Sequence, residues 1–438
     1  MITMPSATGK IIRQIVNICQ SAEVPISPLL EINKMLKDRV QVDSIRDVRI
    51  EDLLRREPVQ LNIEEIFRFL QNKTVLITGS GGSIGSELCH QIFHCHPSRI
   101  ILIGYGENSV FHIQQELEQI AQTWKLEGKS PKNIPQIYTF IADIRFRYRL
   151  ENALEKFKPD VIFHAPAHKH IPLMQLNPFE AITNNVISTK NILEVALQYN
   201  VKHLVMISTD KAVNPINVLG VSKRVAEMLV LQAAKESGNP YVAVRLGNIL
   251  GSRGSVIPTF KKQIAMGRPV TVTHPEIRRY FMTISEAVQL VLQAAISGQS
   301  GEILMLNMGE PVKIVDLAKE LIKLSGYEVN KDIKIVFTGL RLGEKLCEEL
   351  FIPGEEYEHT QNQKLLVVKN ASRIVPTNLD TTVEALRQAV IDNDTHTIYK
   401  LLAKIFPGYQ PKLLEHNLLT NMFTSSNFLS TTSANIFQ

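Results

Sequence analysis

Residues 74–88 read TVLITGSGGSIGSEL, and the fold follows from how that stretch divides. An apolar, β-branched run precedes a glycine-rich turn, and an apolar helical pattern follows it. Gly79, Gly82 and Gly85 stand in a GxxGxxG spacing, with Ser83 and Ile84 between the last two. Glycine permits the tight turn and lets backbone N–H groups and a helix N-terminus come close to a pyrophosphate. A glycine trio alone also occurs in plain turns, so the flanking strand and helix carry the reading.

The alternation continues outward. Further strand candidates are RIILI at 99–103, QIYTFIAD at 136–143, DVIFHA at 160–165, HLVMIST at 203–209 and YVAVRLG at 241–247. Strands alternating with amphipathic helices from Lys73 to Gly247 predict an α/β fold, a Rossmann-type doubly wound parallel sheet with a smaller C-terminal substrate-binding lobe. Residues 1–70 are expected to be the remnant of an N-terminal domain, partly helical through IIRQIVNIC and IEEIFRFL. Residues 71–247 form the dinucleotide-binding domain, to which later segments return. Residues 248–351 form the substrate lobe, with helices at 285–297 and 313–325 and a strand at 332–337. Residues 352–438 supply two helices over about 381–406 and a mobile tail from Asn417.

Bulk properties exclude several classes. The 438 residues are 44% hydrophobic and 21% charged, enough for an extensive core. Lysine and arginine exceed aspartate and glutamate by 48 to 43, an excess spread along the chain, so neither nucleic acid nor a membrane surface is an expected partner. Cys19, Cys89, Cys95 and Cys347 form no CxxC pair, which suits a reducing compartment. No apolar run approaches the roughly 18 residues of a membrane span and no secretory signal opens the chain, so a cytoplasmic location is expected.

After the fifth strand comes STDKAVNPINVLGVSKRVAE, residues 208–227. Thr209, Asp210 and Lys211 thereby sit at a strand's carboxyl end, where open α/β sheets place their ligands. Adjacent carboxyl and amine groups supply an acid and a base, or else a structural ion pair. His164, His168 and His170, like His90, His94 and Cys95, lack convergent ligands and a supporting shell, so no metal is expected.

The glycine spacing after Thr78 resembles the extended short-chain dehydrogenase/reductase superfamily. The resemblance implies NAD or NADP on the loop, with Asp143 and Ile144 at the adenine and Ala165, Pro166 and Ala167 beneath the cofactor. Asn185 and Lys223 join that set. Gly104 and Tyr105 stand where an acid would hold the adenosine ribose, which leaves NAD against NADP open. The superfamily's tyrosine, four residues before its lysine, is replaced here by Leu219 ahead of Lys223. Leucine cannot exchange a proton, so an ordinary alcohol dehydrogenase is disfavoured.

Leu219 together with Thr-Asp-Lys resembles the bacterial polysaccharide-biosynthesis dehydratases of the CapD type, which act on UDP-N-acetylglucosamine. HAPAHKHIPLMQLNP at 164–178, RLGNILGSRGSVIPTF at 245–260, THPEIRRYFMTISEA at 273–287 and GLRLGEKLCEEL at 339–350 agree with it. The resemblance implies a UDP-sugar 4,6-dehydratase, a hydro-lyase of surface polysaccharide biosynthesis that makes a 4-keto-6-deoxy sugar. Lys211 is then the base at carbon 5 and Asp210 the acid at the departing hydroxyl, with Thr209 or Asp210 taking the carbon-4 hydroxyl proton. A lysine base must be neutral, so the Lys211 pKa is expected to be lowered by burial, by the nicotinamide and by Lys223. Arg279 and Arg341 match diphosphate-binding arginines and Glu344 an acid near the nucleotide ribose, while Asn248, Lys169 and His170 face the same cleft.

Larger relatives of this type carry membrane helices and a complete extra domain, of which residues 1–70 resemble the remainder. Pairing into a homo-oligomer through helices of the cofactor domain is a family-level expectation. Two other functions remain open, a UDP-sugar 4-epimerase or reductase, and a cofactor-binding subunit of a polysaccharide assembly without catalysis.

Overall fold

The computed structural model describes residues 63–410, apart from 129–130, 132, 353, 361–363, 370 and 372–374. The segment IIRQIVNIC and the tail beyond Asn417 therefore lie outside the described residues. IEEIFRFL forms helix α1 (Ile63–Leu70), which packs Ile66 and Leu70 into the core.

The first half of the molecule alternates strand and helix: β1 (Thr74–Thr78), α2 (Ser83–Phe93), β2 (Arg99–Gly104), α3 (Glu107–Leu126), β3 (Gln136–Ile141), α4 (Arg147–Phe157) and β4 (Val161–His164). Short helices α5 (Ile171–Leu176) and α6 (Pro178–Ala181) lead through a π-helical turn, Ile182–Ile187, into α7 (Ser188–Gln198). Then come β5 (His203–Thr209), a 3₁₀ turn over Asp210–Ala212, α8 (Val218–Ser237) and β6 (Tyr241–Leu246). All residues of β1, β4 and β6 are buried, as expected of parallel strands covered by helices on both faces.

Among the described residues the sheet holds nine strands rather than the six expected, adding β11 (Ile303–Leu306), β14 (Tyr357–His359) and β15 (Leu365–Val368). Its order is β14-β15-β11-β6-β5-β4-β1-β2-β3, parallel from β3 to β11 and antiparallel at the two β15 pairings. The region after residue 351, read as helices and tail, therefore also closes one sheet edge. Those strands are only three and four residues long, too short for a periodic signal.

Residues 248–351 do not form one lobe. Helix α10 (Ile284–Ser297) buries Val288, Val291 and Leu292 in the same core as Leu88, Ile92 and Val244, on the sheet face that carries α2. The substrate lobe keeps α9 (Val256–Ala265), α11 (Ile314–Leu324) and three strand pairs. In these, β7 (Asn248–Ile249) meets β10 (Phe281–Met282), β8 (Val270–Val272) meets β13 (Ile335–Phe337), and β9 (Arg278–Arg279) meets β12 (Val312–Lys313). Its separate core centres on Phe260, Ile277 and Leu317.

Helices α12 (Leu379–Ile391) and α13 (Thr395–Ile405) fold back onto the opposite sheet face. Asp380, in the first turn of α12, accepts from Lys190 of α7 and Gln232 of α8, and Tyr399 Oη donates to the Gln175 carbonyl. Among the described residues no helix is long and apolar enough to cross a membrane.

Candidate active site

The strand order reverses at β1, between β2 on one side and β4 on the other, and a cleft of about 810 Å³ opens outside the carboxyl ends. Its floor is the turn after β1. Gly79 has φ +71°, and a Cβ there would lie 2.9 Å from the Pro166 nitrogen. A Cβ on Gly85 would lie 2.1 Å from the Gly79 carbonyl oxygen. Both positions thus require glycine, and they bring backbone amides and the start of α2 to the cleft. That cradle fits the pyrophosphate of NAD or NADP.

Ser83, Ile84, Tyr105, Asp143, Ile144, Ala165, Ala167 and Lys223 line the cleft with those glycines, as does Gly82. Asp143 is fastened to Arg145 at 2.7 Å, and although burial pushes its carboxyl up, that guanidinium leaves it below the ordinary range. Asn185 does not reach the wall: it accepts from the His168 amide at 3.1 Å and donates to Ser222 at 3.0 Å, bracing the loop after β4 from beneath.

At the end of β5 the chain turns sharply, with the Lys211 amide donating to Thr209 Oγ1 at 3.4 Å. Lys211 and Thr209 line the cleft. Lys211 Nζ donates to Asp210 Oδ1 at 2.9 Å and to Asn248 Oδ1 at 3.1 Å. Thr209 Oγ1 donates to the same Asp210 oxygen at 2.9 Å. Asp210 is 1% exposed and stands behind the wall, so its contact with the cleft runs through Thr209 and Lys211. Its Oδ2 and the Asn248 Nδ2 are buried without a hydrogen-bond partner among the described residues, polar capacity open to a ligand.

The expected lowering of the Lys211 pKa is not found. Burial does pull it down, but the carboxylates of Asp210 and Glu348 outweigh burial and hold the ammonium above its ordinary value. Asp210, 2.9 Å from the ammonium, is its counter-ion. Lys223, by contrast, is lowered to about 8 by burial against the pull of Glu227, and its Nζ donates to the Ile207 carbonyl at 2.7 Å. Leu219, one helical turn earlier, lines the cleft where a tyrosine would project.

Lys169, His170, Asn248, Arg279, Arg341 and Glu344 all line the cleft. Arg279 donates to Glu344 at 3.1 Å and also to the Lys345 carbonyl at 3.0 Å. Two participants escaped the sequence reading. Arg253 reaches from the loop after β7 to donate to the Gly81 carbonyl at 2.6 Å, while its amide donates to Ser83 Oγ at 3.2 Å and its carbonyl accepts from Lys169. Glu348, 4% exposed, places Oε1 4.0 Å from Lys211 Nζ and 3.9 Å from Arg279 Nε. Both lie inside quoted motifs, but only the fold reveals what they face.

The histidines are held in other ways. His164 Nδ1 pairs with Thr78 Oγ1 at 2.9 Å and Nε2 with Thr189 Oγ1 at 3.2 Å, and burial beside Lys223 lowers its pKa to about 3. His90 pairs with Glu116 at 2.9 Å.

The family model described as "Polysaccharide biosynthesis protein" matches residues 75–370, the stretch that builds the sheet and the cleft. The chain belongs to the polysaccharide biosynthesis protein family. Within this family it is 48% identical over 388 residues to the capsular polysaccharide biosynthesis protein CapD of Staphylococcus aureus, covering 88% of this chain and 63% of that protein. It thus spans less than two thirds of that relative's length. It is 30% identical over 319 residues to a UDP-N-acetylglucosamine 4,6-dehydratase (inverting) of Campylobacter jejuni, covering 72% of this chain and 88% of the other. A UDP-glucose 4-epimerase of Rickettsia canadensis is 35% identical over 284 residues, covering 64% and 77%. The family member described here is therefore a CapD-like extended short-chain dehydrogenase/reductase.

Proposed function

We propose that the protein is a nucleotide-sugar-modifying enzyme, and specifically a 4,6-dehydratase acting on UDP-N-acetylglucosamine or a related UDP-hexosamine with bound NAD or NADP. The observation that carries this reading is Lys211 in the cleft lining with its Nζ 2.9 Å from Asp210 Oδ1, together with a Leu219 in the same lining that cannot exchange protons. An epimerase needs proton traffic only at carbon 4, whereas loss of water across carbons 5 and 6 needs a base and an acid together.

The bound dinucleotide supplies the acceptor and later the donor of hydride. Gly79, Gly82 and Gly85 would hold its pyrophosphate and Lys223 its ribose, all four lining the cleft. Arg279 and Arg341 take the sugar diphosphate, for which Arg279 must exchange its contact with Glu344. Lys211 receives the carbon-5 proton. The Asp210 carboxylate takes the carbon-4 hydroxyl proton through Thr209, which already bonds it, as hydride leaves carbon 4, and then gives that proton to the departing carbon-6 hydroxyl. Since Lys211 is an ammonium in the free protein, a proton must first leave it, for which the neighbouring carboxylates are the acceptors.

Incubation with UDP-N-acetylglucosamine in deuterated water tests the reading. A 4-keto-6-deoxy product labelled at carbon 5 supports it, conversion to the galacto isomer replaces it with epimerisation, and unchanged substrate refutes it.

A further inference from the structure

Glu348 arrives at the catalytic turn from a segment 137 positions after Lys211, and no role has been assigned to it so far. Its Oε1 stands between two cations, 4.0 Å from Lys211 Nζ and 3.9 Å from Arg279 Nε, within ion-pair range but too far to hydrogen-bond either. We propose that Glu348 is a positioning residue that sets the charge on Lys211 and, through Arg279, ties that charge to occupation of the diphosphate subsite. The proposal rests on reading Lys211 as the base.

The charges around Lys211 come from four places: Asp210 in its own turn, the Asn248 amide dipole on β7, Arg279 on β9, and Glu348 itself. Glu348 in turn faces Lys211, Asp210, Arg279 and Lys345. Two carboxylates around one ammonium keep it charged, so a neutral amine requires one of them to be quenched. Asp210 is fixed by two hydrogen bonds to one oxygen, whereas Glu348 makes no close contact with either cation. Burial already raises the Glu348 carboxyl, helped by Asp210 and opposed by Lys211 and Arg279.

Without sugar, Arg279 divides its charge between Glu344 and Glu348. A diphosphate that engages this guanidinium draws it toward the phosphate oxygens and adds negative charge beside Glu348. Glu348 then accepts the proton that Lys211 releases: one N–H bond breaks, one O–H bond forms, and the net charge of the cluster is unchanged. Lys211 becomes a free amine only when a substrate is present to use it.

The test follows the Lys211 Cε resonance in the full chain grown on ¹³C-lysine, assigned by its disappearance in Lys211→Arg. In the absence of sugar, Glu348→Gln should move the Lys211 titration down by about one to three pH units. UDP should move it down in the wild type and fail to do so in Glu348→Gln. The pH at which kcat rises should fall in Glu348→Gln and return toward the wild-type value in Glu348→Asp, a pattern that a merely structural defect would not produce. A folded Glu348→Gln whose Lys211 titrates as in the wild type overturns the proposal. So does a wild-type titration that UDP leaves in place or raises, and this arm decides alone if the glutamine variant does not fold. Because the titration needs no turnover, it separates this proposal from the dehydratase reading, which the carbon-5 label tests.

Discussion

Two buried clusters, each with two cations and at least two carboxylates, flank helix α8, and they are built to opposite specifications. In one, Arg245 grips Glu227 with two bonds of 3.0 Å and Glu355 at 3.2 Å. Arg224 completes the square at 2.9 and 3.0 Å, while Ser208 and Tyr357 donate to the same carboxylates. Burial pushes Glu227 up, yet the two arginines outweigh it and hold its carboxyl at about 2. In the other cluster Lys211, Asp210, Glu348 and Arg279 meet partly at 3.9–4.0 Å and leave Asp210 Oδ2 unpartnered. In the first cluster all four carboxylate oxygens are partnered, although Arg224 Nε is not, and carboxylates saturated in this way lock a fold, whereas the open Asp210 oxygen keeps polar capacity for a ligand.

The largest expected effect is on the saturated cluster. Glu227→Ala strands two buried guanidiniums and should cost about 3–5 kcal/mol in urea unfolding. A loss below about 1 kcal/mol would mean that the square is not a structural unit. Lys211→Met should reduce turnover by roughly 10² or more while dinucleotide binding persists, and should lower the urea midpoint less than Glu227→Ala does, because the carboxyls it strands can take up protons whereas guanidiniums cannot lose them. Normal turnover would remove Lys211 from the chemistry.

Lys223 sits between the clusters and shares features of both. With its folded pKa near 8 against an ordinary 10.5, both states carry the charge below pH 8, and folding bears the cost of burying it. Between those values only the unfolded chain stays protonated, so stability should rise with pH and level off above about 10.5. Lys223→Met should therefore stabilise the fold by up to about 3 kcal/mol at pH 7, flatten that rise and weaken dinucleotide binding. Urea melts at pH 7 and 10 give the answer, and an unchanged slope would be contrary. Smallest of all, Tyr357→Phe should cost about 1 kcal/mol by removing one donor from Glu355, with turnover unaffected.

The contrast also explains what the sequence disclosed. Strands β1, β2 and β5 start where their apolar runs start, because burial on both faces writes itself into consecutive residues. Helices α11, α12 and α13 are legible from apolar side chains recurring every three to four residues, and α10 from its apolar length, although α10 packs on the sheet and not in the lobe to which its position assigned it. At the site, the glycine turn and the strand end point to Gly79, Gly85 and Thr209–Lys211 as cleft residues, whereas Asp143, Arg279 and Arg341 come from the resemblance and the structure places them on the same cleft. Glu348 and Arg253 have no such signal, because a carboxylate in CEEL or an arginine in GSRG has no local pattern, and its role comes from partners distant in the sequence. The Lys211 charge was misjudged for that same reason, since one of the carboxylates that holds it was unseen.

The closing pair of helices has its own consequence. Asp380 ties α12 across α7 and α8, and the apolar side chains of Leu379, Val383 and Leu386 are sunk in the core those helices share. The faces of α7 and α8 beneath α12 are thereby withdrawn from solvent by the chain's own last helices, which fasten the end of the described chain to its middle.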